Sequence, residues 1–291
     1  MVEEDIIISD KENLNNLIKK FQEGGKEKIH VLTDFDRTLT KAYVNGEKVP
    51  SIISRLRDKE YLSEDYSEQA KALANYYHPI ELNSELPLEE KKKEMNDWWT
   101  KHFDLLIKYG LNRKHIELII GEGIIQFREG AEKFLDLLHE NKIPLIIVSS
   151  SGLGYDSIEM FLKSKNKLYN NIKIISNSFE WDNEGKILNY KKPIIHVFNK
   201  DETILKEIPE IYEKIEDKKN VILLGDSLGD LGMIKGFYYE NLLKIGFLNY
   251  NIEKDLNLYK ENFDIVLVNN SDMNYINEIM EEILNDNYSK S

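Results

Sequence analysis

The stretch VLTDFDRTLT (residues 31–40) runs a mostly apolar segment straight into two aspartates spaced two apart, with a threonine two further on. A strand interior does not favour Asp34, and a surface loop has no need of Val31 and Leu32. The residues suit a buried strand that ends in a reactive site. Other short apolar runs read the same way: IPLIIVSS (143–150), IKIISN (172–177), VILLGD (221–226) and DIVLVN (264–269), with LKIGFL (243–248) as a sixth. Helical stretches separate most of them. In GAEKFLDLLHENK (130–142), Ala131, Phe134, Leu135 and Leu138 fall on one face. Alternating strands and helices imply an α/β fold, a doubly wound and mostly parallel Rossmann-like core sheet.

One segment breaks the alternation. Between the first strand and the one at 143 lies a long stretch without a good strand, too long for one crossover helix. SEDYSEQAKALANYYH (63–78), PLEEKKKEMNDWWTKHFDLLIKYG (87–110) and NRKHIELIIGEG (112–123) all read as helices. The expected division is a core of residues 1–41 and 126–291 with a helical insert of residues 42–125. Leaving the core just after the first strand, the insert is placed to sit over that strand's C-terminal end. FEWDNEGKIL (179–188) adds a hairpin around its Asp-Asn-Glu-Gly centre.

The chain has 291 residues, 31% charged and 41% hydrophobic, as in a globular protein with a large core. No apolar run approaches the roughly 20 residues of a membrane span. The start, MVEEDIIISD, lacks the features of a secretory signal, which makes a cytoplasmic enzyme the default. The absence of cysteine excludes disulfides, thiolate metal sites and a Cys nucleophile. The net charge of −13 disfavours nucleic-acid polymers as partners. A small phosphorylated substrate needs a local cluster of donors, cations or a metal instead. The run EEKKKE (89–94) reads as a solvated helix face.

In open α/β sheets, ligands bind at the carboxyl ends of the strands. Here the first strand ends at Asp34, Asp36 and Thr38, the second at Ser149, Ser150, Ser151 and Gly152, the fourth at Asp226 and Asp230. Asp34 and Asp36, two apart in extended chain, point the same way. Close carboxylates repel unless a cation neutralises them. Oxygen ligands without cysteine favour a hard cation such as Mg²⁺. A carboxylate can attack phosphorus, and a second can protonate the leaving group and then activate water. Thr38, Ser150 and backbone amides near Gly152 are candidate holders of phosphate oxygens. Lys200, in HVFNKDE, is the candidate charge partner. Taken singly, each of these residues also has a plain structural reading, as a helix cap, a turn or a surface lysine. Trp98 and Trp99, adjacent on a helix, diverge by about 100°, so one is expected in the core and the other facing the cleft.

The order and spacing of these motifs resemble the haloacid dehalogenase superfamily of phosphatases. Asp34-Phe-Asp36-Arg-Thr38 matches its first motif, Ser150 its second, Lys200 its third and Gly225-Asp226-Ser-Leu-Gly-Asp230 its fourth. The insert corresponds to a C1-type cap. The finer resemblance is to the pyrimidine 5′-nucleotidases of the cytosolic 5′-nucleotidase III type. It rests on TDFDRTLT, YYHPIE (76–81), WWTKHF (98–103), FREG (127–130), SSSGLG (149–154), IHVFNK (195–200), LLGDSLGDLGM (223–233) and LKIGFLN (243–249). The resemblance implies Mg²⁺-dependent hydrolysis of nucleoside 5′-monophosphates. It makes Asp34 the nucleophile and Asp36 the general acid/base. It gives the metal to Asp34, the Asp36 backbone carbonyl and Asp226, and the phosphate to Ser150 and Lys200, with Asp230 orienting the lysine. It assigns base reading to Glu81 and Trp99, and a Trp at 99 resembles the branch that also accepts 7-methylguanosine monophosphate.

The chain departs from that pattern in three places. Ile53 stands where the family often has a histidine, Ser150-Ser151-Gly152 replaces Ser-Ala-Gly, and residues 54–75 match poorly. These touch base preference rather than phosphate chemistry. Two other readings stay open: a capped phosphatase of another small phosphomonoester, and a receiver-like phospho-acceptor module. The helical insert and the Asp34–Asp36–Thr38 spacing disfavour the receiver. A kinase is disfavoured by the lack of a Gly-x-x-x-x-Gly-Lys-Ser/Thr loop. A monomer is favoured.

Overall fold

The Val-, Ile- and Leu-rich runs form strands because their side chains are buried on both faces of one sheet. The computed structural model describes residues 5–83, 85–200, 209–235 and 238–285. The core opens with β1 (Ile6–Ile8), α1 (Lys11–Gly24) and β2 (Ile29–Thr33). Next comes the insert, with a short hairpin, β3 (Tyr43–Val44) and β4 (Glu47–Lys48), and four helices: α2 (Ile52–Asp58), α3 (Glu64–Leu82), α4 (Leu88–Lys108) and α5 (Arg113–Gly121). The core resumes with α6 (Ala131–Glu140), β5 (Leu145–Val148), α7 (Gly154–Ser164) and β6 (Ile172–Ile175). A second hairpin, β7 (Phe179–Trp181) and β8 (Ile187–Tyr190), precedes α8 (Pro209–Ile215), β9 (Asn220–Gly225) and a 3₁₀ segment, Leu228–Ile234. The chain ends with β10 (Asn241–Leu248), α9 (Ile252–Asn262), β11 (Ile265–Val268) and α10 (Asn274–Leu284).

The main sheet has the order β1-β11-β10-β9-β2-β5-β6. All its pairings are parallel except β1 against β11. Thr33 pairs with Leu224 of β9 on one side and Ile147 of β5 on the other. The three strands that end in the chemical motifs are therefore the neighbours β9, β2 and β5. Side chains alternate between the faces. Ile29, Val31, Leu145, Ile147, Ile222 and Leu224 pack with α1, α6, α7 and α10. Leu32, Ile146, Val148, Val221 and Leu223 pack with α8, α9 and the 3₁₀ segment.

Helix starts follow the sequence. Asp10, Ser51 and Ser63 each accept a backbone N–H three residues on, and Asn112 and His115 form a reciprocal cap at α5. The hairpin at 179–190 is present, with a bulge at Glu180/Trp181. Two strand pairings differ from the expectation. β1 adds an antiparallel edge strand, and the insert carries the β3–β4 pair, turned by Asn45 and Gly46 at positive φ.

The insert packs against the core. Phe103 of α4 meets Phe179 and Tyr190 of the second hairpin at ring distances of 5.3 Å. Phe198, two residues before Lys200, packs against Tyr77, Met95 and Trp98 of α3 and α4. Arg113 Nη2 at the start of α5 lies 3.2 Å from Asp156 Oδ1 of α7.

Candidate active site

Neighbouring parallel strands lie about 4.8 Å apart, so residues just beyond the ends of β9, β2 and β5 share one edge. Asp34 follows β2 directly and donates its N–H to Leu224 O at 3.0 Å. Its carboxylate is buried. Lys200 Nζ, also buried, donates to Asp34 Oδ1 at 2.5 Å and to Asp230 Oδ1 at 2.9 Å. The other Asp230 oxygen accepts the Ser227 N–H at 2.9 Å and the Ser227 hydroxyl at 3.0 Å. Asp230 is thus saturated by groups that fix it and the lysine together. Gly225 allows this, because a Cβ there would overlap the Asp230 carboxyl.

Asp34, Asp226 and Asp230 each present a carboxylate oxygen, and these oxygens lie within 4.8 Å of one another. Burial raises Asp34 well above the usual carboxylate range. Lys200 opposes the rise, and Asp230 and Asp226 add to it. Burial and the Asp230 charge push Asp226 up to about 7, against Arg37 and Lys200. Asp36 is raised by burial, against Arg37 and Lys200. Burial alone would lower Lys200, but Asp230 and Asp34 outweigh it and raise the ammonium. Four carboxyls thus face two cations, a donor set short of positive charge and made only of oxygen ligands. Such a set fits a hard divalent cation.

The chain does not stay extended beyond Asp34. β2 ends at Thr33 and residues 36–39 form a turn, so strand alternation does not relate Asp34 to Asp36. Arg37, at φ 61°, takes the left-handed conformation that non-glycine residues disfavour. Its neighbours hold it there. Arg37 N–H donates to Thr40 Oγ1 at 2.8 Å, and Arg37 O accepts from Arg128 Nη2 and, at 3.1 Å, from Asn249 Nδ2. Arg128 also donates to Thr38 O at 2.9 Å, Ser271 O at 2.6 Å and Asn249 Oδ1 at 3.0 Å. Thr38 itself is buried, and its hydroxyl has no hydrogen-bond partner among the described residues.

Beyond β5, Ser150 is partly buried. The Ser151 hydroxyl turns into the core toward Ser157 Oγ at 3.4 Å, and Ser151 O accepts from Asn177 Nδ2 at 3.1 Å. The insert meets the core at Gly152. A Cβ on Gly152 would stand 2.5 Å from Trp99 Cζ3 and 3.0 Å from Ile53 Cγ1. The indole of Trp99 therefore lies directly against the loop that follows Ser150, beside Ile53. Trp98 is buried and Trp99 partly so, as expected of the pair. Their rings nonetheless end nearly parallel, 5.4 Å apart at 13°. Glu81, in the last turn of α3, is partly buried and accepts from His78 Nδ1 at 3.0 Å. Among the described residues, its hydrogen-bond partner is His78 and not a group of the core acid cluster.

Several residues at this edge carry no motif signal of their own. Arg37 Nη1 lies 4.0 Å from Asp226 Oδ2. Tyr259 OH donates to Asp226 O at 2.6 Å. Tyr250 takes Lys48 and Arg37 over its ring at 4.3 and 5.5 Å. Arg128 lies within FREG, but its fan of bonds to distant carbonyls cannot be read from local pattern.

The family model described as Pyrimidine 5′-nucleotidase (UMPH-1) matches residues 37–284. The chain belongs to the pyrimidine 5′-nucleotidase (UMPH-1) family. This nucleotidase is 34% identical over 278 residues to the 7-methylguanosine phosphate-specific 5′-nucleotidase of Gallus gallus, covering 95% of each chain. It is 34% identical over 272 residues to the enzyme of that name in Homo sapiens, covering 93% of this chain and 90% of the other. Its fold matches the crystal structure of cytosolic 5′-nucleotidase IIIB bound to cytidine with a TM-score of 0.85, at 30% identity over 97% of this chain and 94% of that one. The nucleotidase is a phosphoric monoester hydrolase of the 5′-nucleotidase class, on an α/β fold with a mostly parallel central sheet. Among the described residues, no helix is long and apolar enough to cross a membrane.

Proposed function

We propose that this nucleotidase hydrolyses nucleoside 5′-monophosphates through an aspartyl-phosphate on Asp34. The observation that carries the reading is Lys200 bridging Asp34 and Asp230 beside Asp226. In the proposed first step, an Asp34 carboxylate oxygen attacks phosphorus and the bond to the nucleoside 5′-oxygen breaks. Asp36 gives its proton to that leaving oxygen. Burial raises its pKa and so favours the acid form, which supports the role. Asp36 next takes a proton from water, whose oxygen attacks the phosphoenzyme and releases phosphate. Lys200, Thr38, Ser150, Ser151 through its backbone, and the amide of Gly152 are proposed to hold the phosphate oxygens. The unpartnered Thr38 hydroxyl supports this. Asp230 positions the lysine.

Mg²⁺ is the proposed cofactor, held by Asp34, Asp226 and the Asp36 backbone carbonyl; it would neutralise the anionic groups and so ease approach to a phosphate dianion. Asp230 also belongs to the acidic cluster, but both its oxygens already accept hydrogen bonds, which favours the positioning role.

Residues 42–125 are proposed as a cap domain over a core of residues 1–41 and 126–291. Within it, Trp99 stacks on the base and Glu81 accepts hydrogen bonds from its exocyclic amine. The indole against Gly152 supports this reading, since it puts an aromatic face next to the phosphate loop. The proposed substrates are pyrimidine nucleotides such as CMP and UMP, together with 7-methyl-GMP, whose cationic base gains from an indole face. The relatives' names and the cytidine-bound neighbour support these two classes. A cytoplasmic, monomeric enzyme without nucleic-acid or membrane partners completes the proposal.

The test is phosphate release from CMP, UMP, AMP, GMP and 7-methyl-GMP, with Mg²⁺ and with EDTA. The expected result is release from the pyrimidine nucleotides or 7-methyl-GMP above the others, stopped by EDTA. Hydrolysis of an aryl phosphate but of no nucleotide would instead assign the site to another small phosphomonoester.

A further inference from the structure

Glu81 does not stand alone in the cap. His78 lies three residues earlier in α3, on the same face. Its Nδ1 is 3.0 Å from Glu81 Oε2, with the imidazole side chain 60% exposed and the carboxylate 25% exposed. One Glu81 oxygen, Oε2, is therefore held by an imidazole N–H. The charges around the imidazole come from three elements. Glu81 lies on α3 itself, Arg57 on α2, and Arg37 on the turn after β2. On α4, Asp97 and Lys101 are joined at 2.6 Å, so that pair presents little net charge. The two arginines stay charged at all working pH values. His78 is the member whose charge changes near neutral pH. The hydrogen bond to Glu81 raises it from its ordinary value, against burial and the repulsion of Arg37 and Arg57. That Arg37 acts on His78 also ties this end of the cap to the phosphate edge of the core.

We propose that His78 is a specificity-positioning residue: it holds Glu81 by one oxygen, and its protonation sets the pocket's preference between a cationic and a neutral base. The proposal rests on the reading that Glu81 faces the base. With His78 protonated, imidazolium and carboxylate cancel, and a 7-methylguanine cation gains little over cytosine. With His78 neutral, the pair carries a net negative charge and the cationic base is favoured. Raising pH should therefore raise kcat/KM for 7-methyl-GMP relative to CMP. A unit charge a few ångströms away in a wet pocket corresponds to a change of about three- to tenfold.

The experiment measures that ratio from about pH 6 to about pH 8.5 for the wild type, His78→Gln and Glu81→Gln. Glutamine keeps a donor at position 78 without a titrating charge. The 7-methylguanine cation itself loses its N1 proton as pH rises, so kcat/KM is expressed per cationic substrate in all three proteins before wild type is divided by variant. The expected result is a quotient of wild type to His78→Gln that rises about three- to tenfold across the range. If Glu81→Gln changes the ratio while wild type and His78→Gln run parallel with pH, the role of His78 is overturned and Glu81 keeps its own. If Glu81→Gln leaves the ratio unmoved, Glu81 does not read the base, and both readings fall together.

Discussion

Gly152→Ala is the sharpest test of how the insert meets the core. The added methyl carbon would stand 2.5 Å from Trp99 Cζ3, 2.7 Å from Cη2 and 3.0 Å from Ile53 Cγ1. Real carbon contacts sit near 3.5–4.0 Å, so about 1 Å of overlap must be relieved. Trp99 cannot simply swing aside. Its ring is flanked by Trp98 at 5.4 Å and by His102 and Phe103, each at 5.7 Å. Overpacking of this kind costs about 1–3 kcal/mol. Loss of that much at the phosphate loop corresponds to about a 5- to 150-fold fall in kcat/KM. In a Trp99→Ala background the main obstacle is gone, and only the end of Ile53 must yield. The assay is a double-mutant cycle on a small aryl phosphate, which has no base for Trp99 to read. Gly152→Ala alone should lose activity, and most of that loss should disappear when Trp99 is already alanine, with a coupling of about 1–2 kcal/mol. Additivity within about 0.5 kcal/mol would refute the reasoning, because the alanine would then act without meeting the indole.

Three further outcomes follow from the geometry. Asp34→Asn should abolish turnover while the fold survives, since the amide is isosteric but not nucleophilic; substantial activity in a folded variant, with phosphoenzyme still trapped by acid quench, would rule out Asp34 as the attacking group. Arg128→Met should lower stability by about 3 kcal/mol or more in urea unfolding, because several buried carbonyl acceptors lose their donor, and Arg128→Lys should restore little, since an ammonium cannot reach them all; full restoration by lysine would contradict the fan of bonds. His102, buried with its pKa lowered to about 3 by burial and the Arg57 charge, is neutral in the folded state. Between about pH 3 and its unfolded value near 6.5, the unfolded chain binds the proton that the folded chain excludes. Its contribution is thus fully present above about pH 6.5 and lost as pH falls toward 3, at up to about 1.4 kcal/mol per pH unit. Unfolding of wild type and His102→Gln from pH 7 to pH 5 should differ by about that slope, and parallel curves would refute it.

The core strands could be read from sequence because each is a buried run whose residues leave little choice of environment. Ile6–Ile8 escaped because three residues, beside an acidic start, show no periodicity. The β3–β4 pair did have a signal in Asn45-Gly46, a dipeptide suited to tight hairpins, but its flanks are only two residues long. The motif aspartates were legible by type and by their place at strand ends. Strand alternation does not relate Asp34 to Asp36, since the chain turns just after Asp34 and places Arg37 at positive φ. What holds that turn, Arg128 with Asn249 and Ser271, joins segments 90 or more residues apart and leaves no local pattern. Gly152 looked like a phosphate-loop glycine. Its contact with Trp99 gives it a second reason to lack a side chain, visible only once the insert is folded back.

The charge balance links these parts. Lys200 pairs directly with Asp34, at 2.5 Å, while Asp226 and Asp230 crowd the same edge. Asp34, the proposed nucleophile, is therefore held against a buried ammonium, which opposes the rise in its pKa that burial and the neighbouring acids cause. A phosphate dianion brings more negative charge to this edge, so its binding depends on added positive charge there. Lys200 is fixed from behind by Asp230, which Ser227 holds in turn. The lysine can thus shift its second bond from Asp34 to a phosphate oxygen without leaving its place. The acidic surface of the whole chain, at −13, offers no general attraction for a nucleotide. On the proposed reading, capture then falls to these few groups and to the indole beside Gly152, and the position of the 42–125 segment after β2 brings that indole to the same edge.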